Sequence, residues 1–170
     1  VGVFGLARTG VAAVEALHAS GARVAAWDDN AERRAALNDH LVNLYTADFE
    51  ELDALLLAPG VPLTHPKPHA LVEKAAEGNV TPISDLDVFE AARSNMPDAA
   101  VVAITGTNGK STTTSLIGHM CKACGCDTAI GGNIGTGVLS LEPLTLGGVY
   151  VFELSSFQLD LTKNLRADVA

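Results

Sequence analysis

One run in this chain has both the residue types and the spacing for phosphate chemistry: Ile104-Thr105-Gly106-Thr107-Asn108-Gly109-Lys110-Ser111-Thr112. It lies where an apolar run ends and a helical pattern begins. A turn at such a junction aims backbone N–H groups and the positive end of a helix at an anion. Glycines let the backbone approach, a lysine neutralises charge on the β- and γ-phosphates, and Ser111 or Thr112 can ligate Mg²⁺. The usual phosphate loop carries a glycine five positions before the one that precedes its lysine, and Ile104 stands there, so this loop is a shortened variant. The competing reading is a glycine-rich turn that caps a helix and leaves Lys110 in solvent. The strand–loop–helix context favours phosphate.

A second group lies downstream. Glu153 ends the apolar run from Val149, and a carboxylate at a strand end can meet a Mg²⁺ held by a phosphate loop next door. Capping of the following turn is the alternative role. Gly131-Gly132-Asn133-Ile134-Gly135 reads on composition as a turn. Near the start, Gly2-Val3-Phe4-Gly5-Leu6-Ala7-Arg8-Thr9-Gly10 ends a strand and opens a helix, and Asp28-Asp29 ends the next strand. Such an arrangement binds a diphosphate on backbone amides and a hydroxyl on the acid, as in dinucleotide-dependent oxidoreductases, although the spacing is not G-x-G-x-x-G. That enzyme class and a nucleotide-binding module without chemistry both stay open.

These residues need elements to position them. Short apolar runs alternate with helical patterns, the signature of βαβ units around parallel sheets. Strands are expected over residues 1–5, 22–27, 55–58 and 80–83, with helices over residues 10–20 and 69–77. A helix over residues 85–94 follows Ser84 as its cap, and Asn95-Met96-Pro97-Asp98 breaks it. The expected boundary lies there, giving a Rossmann-like parallel-sheet domain over residues 1–96 and the start of a P-loop-type α/β ATPase domain over residues 97–170. In the second, strand 100–105 leads through the loop to helix 110–124, and strand 149–154 follows. The chain opens at Val1 without methionine and stops in an apolar stretch at Asp168-Val169-Ala170, as expected of a piece of a longer protein.

Composition excludes other classes. Hydrophobic residues make up 48% and charged residues 18%, enough for an ordinary core and too apolar for a disordered chain. A net charge of -9 opposes nucleic-acid or anionic-membrane partners. Cys121, Cys124 and Cys126 are too few for a disulfide framework, which points to the cytoplasm, and they lack the further ligands that structural zinc needs. His65 and His69 are expected in surface or capping roles.

Thr105-Gly106-Thr107-Asn108-Gly109-Lys110 resembles the ATP loop of the Mur ligase superfamily. Glu153-Leu154-Ser155-Ser156-Phe157-Gln158-Leu159 resembles the segment of its D-glutamate-adding branch. The resemblance implies ATP and Mg²⁺ as cofactors, with Gly106, Thr107, Asn108, Gly109, Lys110, Ser111 and Thr112 on ATP. It implies Lys110 and Glu153 as catalytic residues, and Ser111, Thr112 and Glu153 on the metal. Arg8, Thr9, Gly10, Asp28, Gly60 and Asn133 are implied for the UDP-sugar. Asp29 and Asn30 stand where relatives often carry a hydroxyl and a basic residue, and Arg8 is the cation expected to compensate. The implied substrates are UDP-N-acetylmuramoyl-L-alanine and D-glutamate, joined through an acyl phosphate by a monomeric enzyme. A second metal's ligands and the D-glutamate site are implied beyond Ala170, so this stretch alone is expected not to turn over.

Overall fold

A computed structural model describes residues 1–35, 37 and 39–170. The chain divides into two compact units, Val1–Asp85 and Leu86–Ala170.

In the first unit, β1 (Gly2–Phe4), α1 (Arg8–Ala19), β2 (Ala25–Trp27), α2 (Ala31–Arg34), β3 (Ala54–Leu57), α3 (Ala70–Glu77) and β4 (Thr81–Ile83) follow one another. All strand pairs are parallel, in the order β2-β1-β3-β4. Val3, Leu55, Leu56 and Leu57 are fully buried. Such uninterrupted apolar strands belong to a parallel sheet covered on both faces. The chain leaves β1 for β2 on one side and returns to β3 on the other. The loops after β1 and β3 therefore open at a topological switch point, where parallel sheets hold ligands.

The second unit contains α4 (Asp85–Arg93), whose first residue closes the preceding unit, then β5 (Ala99–Ile104), α5 (Lys110–Ala123), β6 (Thr128–Gly132), β7 (Gly148–Glu153) and α6 (Ser156–Leu161). Its sheet is parallel, β5-β7-β6. The register sets Ile104 and Gly132 on either side of Glu153, so three strands end in line. Phe89 of α4 meets Tyr150 and Phe152 of β7 edge-on, with ring centroids 5.1 Å apart in both cases. With Leu86 and Val101 they form the core under that edge. α4 contributes Leu86 and Phe89 to this core, and the division between the units falls after its first residue, Asp85, where the sequence pattern suggested the break near residue 96. The apolar end of the chain pairs as its pattern suggests, with Val169 bridging in parallel to Val102. Gly131 and Gly132, read as part of a turn, close β6 instead.

Candidate phosphate and metal site

The register of the second sheet builds the site. β5 ends at Ile104, and residues 105–109 turn into α5 with Gly106 at φ +137° and Gly109 at φ +77°. Gly109 is the N-cap of α5 and offers no side-chain cap, which leaves the first-turn amides of a fourteen-residue helix open to an anion. Lys110 lies across the loop, its Nζ donating to the Gly106 carbonyl at 2.8 Å and the Thr107 carbonyl at 3.4 Å. Buried Thr114 donates to the Lys110 carbonyl at 2.8 Å and anchors this turn to the helix.

Ser111 and Glu153 meet. The Ser111 hydroxyl donates to Glu153 Oε2 at 2.6 Å, and Asn133 Nδ2 donates to Oε1 at 2.9 Å. Glu153 is only 2% exposed, and no salt bridge among the described residues includes it. A buried carboxylate held by neutral donors alone is costly without a cation. Hydroxyl and carboxylate oxygens beside a phosphate-binding turn are the donors a hard divalent cation takes. The oxygen donors of Ser111 and Glu153 are thus of the chemistry that fits Mg²⁺. Among the described residues Glu153 accepts no hydrogen bond from Thr112, the other hydroxyl considered for the metal. Gly106, Thr107, Asn108, Gly109 and Lys110 stand together at the mouth of the same site.

In the first unit, Arg8, Thr9 and Gly10 form the first turn of α1, whose N-cap Ala7 leaves its amides without a side-chain cap. A Cβ at Gly10 would collide with the carbonyl oxygen of Gly5, so only glycine lets this helix begin so near the end of β1. Gly60 turns the chain after β3 at φ +95°. Asp28, buried at the end of β2, uses its carboxylate on the protein itself. Its Oδ2 accepts from the Leu6 amide at 2.6 Å and from Arg33 at 3.4 Å, and its Oδ1 accepts from the Asn30 amide at 2.8 Å. Burial opposes its ionisation, but the two amides and the Arg33 guanidinium outweigh it and hold the carboxyl below its ordinary value. Asp28 thus staples the β1–α1 loop to β2.

Cations absent from positions 29 and 30 arrive one helical turn later. α2 carries Arg33 to Asp28, and Arg34 lies 4.4 Å over the Trp27 ring while donating to the carbonyls of Asp28 and Asp29. Tyr45 donates to both Asp29 oxygens, and burial together with that carboxylate pushes its hydroxyl up to about 12. His69 caps α3, accepting from the Leu71 amide at 3.3 Å, and its ring stacks 4.7 Å from Phe4. Cys121 lies in the last turn of α5 and Cys126 just beyond the helix, the Cys126 amide donating to the Cys121 carbonyl. The contact that sequence reasoning missed is Asn133 to Glu153. Its signal was the Gly131-Gly132-Asn133 run at a strand end, visible only once β6 was recognised as the neighbour of β7.

Comparison with known proteins places this geometry in context. The Mur ligase middle domain matches residues 104–170. The UDP-N-acetylmuramoylalanine--D-glutamate ligase of Phenylobacterium zucineum (strain HLK1) is 55% identical over 175 residues, covering 99% of this chain and 37% of that protein. The proteins of the same name from Caulobacter sp. (strain K31) and Bradyrhizobium diazoefficiens are each 53% identical, with the same two coverages. The chain spans a little over a third of the length of the curated relatives it matches.

Proposed function

The chain belongs to the Mur ligase family, and on that premise we propose that it is part of an ATP-dependent ligase that joins D-glutamate to UDP-N-acetylmuramoyl-L-alanine in the cytoplasm. The observation that carries the reading is the buried Glu153 carboxylate on the Ser111 hydroxyl, beside an uncapped helix N-terminus and Lys110. Identity to the D-glutamate ligases along nearly the whole chain supports the choice of substrate.

A carboxylate is a poor electrophile, and transfer of the γ-phosphoryl group of ATP to it creates a leaving group that an amine can displace. The protein's part is positioning and charge stabilisation. The first-turn amides of α5 hold the phosphates, and Lys110 leaves its loop carbonyls to neutralise the transferring group. Ser111 and Glu153 would hold Mg²⁺, which when bound would offset the phosphate charge. In the first unit, the open first turn of α1 with Arg8 and Thr9, and the turn at Gly60, take the diphosphate of the UDP-sugar. Asp28 keeps the β1–α1 loop in shape for it.

Phosphate release by the full-length chain, supplied with ATP, UDP-N-acetylmuramoyl-L-alanine and one amino acid at a time, tests the reading. D-glutamate alone should drive release well above background. Equal release with every amino acid, or turnover of NAD(H) instead, sinks it.

A further inference from the structure

Asn133 grips Glu153 twice: its backbone N–H donates to the Glu153 carbonyl at 2.8 Å, and its Nδ2 donates to Oε1 at 2.9 Å. The end of β6 brings it there. Gly132 pairs with Glu153 in the parallel register at φ +98°, and a Cβ on Gly132 would collide with the Glu153 carbonyl oxygen. Only glycine lets the two strand ends approach this closely. The turn beyond is closed by the Gly132 amide on the Thr136 carbonyl at 3.0 Å. The main chain therefore fixes where Asn133 stands, and its side chain engages Oε1 while Oε2 is left to face the Ser111 hydroxyl.

We propose that Asn133 is a positioning residue that orients the Glu153 carboxylate so that Oε2 meets a divalent cation alongside Ser111. The proposal rests on the reading of Ser111 and Glu153 as the metal ligands. A ligating carboxylate free to rotate spends part of its time in geometries that cannot bind. Loss of such an outer partner typically costs about 10–100-fold in metal affinity. Oδ1 of Asn133 takes no hydrogen bond among the described residues, and the residue is exposed. A direct contact from Oδ1 to the sugar substrate is the competing role.

Mn²⁺ serves as the probe, its free concentration read by electron paramagnetic resonance on the full-length protein with a non-hydrolysable ATP analogue. Four proteins are compared: the parent, Asn133→Ala, Glu153→Gln and the double variant. Asn133→Ala should weaken Mn²⁺ binding by about tenfold or more. In the double variant it should add nothing to Glu153→Gln, because a residue acting through another shows no independent effect once that partner is gone. An Asn133→Ala protein that binds Mn²⁺ like the parent and shows only a raised KM for the UDP-sugar overturns the positioning role. Losses that multiply in the double variant overturn it as well. A parent that binds no Mn²⁺ with the analogue sinks the metal reading itself, a result distinct from the other two. The exposed position of Asn133 lets the alanine variant keep its fold, which matching melting curves confirm.

Discussion

Lys110 and Glu153 each make a structural contact that competes with the chemical role, and substitution separates the two. Lys110 rests on two carbonyls of its own loop. If its charge serves only to close that loop, Lys110→Ala changes stability and little else. If it stabilises the transferring phosphoryl group, turnover of the full-length enzyme falls by at least about 100-fold. A rate within a few-fold of the parent decides for the first. Glu153→Gln keeps the shape and removes the charge. A lost metal ligand should raise the Mg²⁺ requirement and be partly restored by excess metal, whereas a lost proton acceptor lowers turnover at every Mg²⁺ concentration. Rate against Mg²⁺ distinguishes them, and an unchanged dependence defeats the metal role. Asp28 makes a pH prediction. Its folded-state carboxyl titrates below the unfolded value of about 3.9. Its contribution is therefore fully present above about pH 4 and is lost as pH falls through the folded value. Asp28→Asn should cost about 1–3 kcal/mol near neutral pH, since buried amide donors lose a charged acceptor. The gap between variant and parent should narrow below about pH 4. Urea midpoints that run parallel from pH 7 to pH 3 would count against the staple.

The elements show how far the sequence could be read. β5, the glycine turn, α5 and β7 were legible because an apolar run, glycines and a helical pattern stand in fixed order, and the register then placed Glu153 beside the end of β5. β6 was not, because Thr128–Gly132 holds two glycines and one large apolar residue, and it is an edge strand that pairs with β7 alone. That omission hid Asn133. α2 spans four residues, too few for a periodicity to register, and it hid the cations around Asp28. α6 is six residues long, yet it carried a signal: Ser155 and Gln158 form a capping box, the Gln158 amide on Ser155 Oγ at 3.3 Å and the Ser155 amide on Gln158 Oε1 at 3.1 Å. Ser155→Ala should therefore cost about 1 kcal/mol. Denaturant unfolding of the chain measures it, and an unchanged midpoint would mean that buried Gln158 and Leu161 hold α6 without the cap.

At the scale of the whole chain, the place where one unit ends and the next begins decides what can be studied alone. α4 begins at Asp85, the last residue of the first unit, and turns Leu86 and Phe89 into the core of the second. A piece ending at residue 96 would therefore carry those side chains uncovered, while a piece ending at Asp85 would not. Exposed apolar helices of this kind bind hydrophobic dyes and associate. The shorter piece is expected to stay monodisperse with low dye fluorescence, and the longer one to bind dye and self-associate. The same shorter piece tests the ligand. Its glycine spacing is not the dinucleotide pattern, and its Asp28 is committed to the Leu6 and Asn30 amides rather than left open for a second ribose. Calorimetry should show uridine diphosphate binding in preference to NAD, weakened by Arg8→Ala because that change removes a cation from the first turn of α1, whose amides offer a diphosphate its donors. Tighter binding of NAD would return the first unit to the oxidoreductase reading. Equal dye binding by both pieces would instead show that Leu86 and Phe89 do not stand uncovered when the second core is missing.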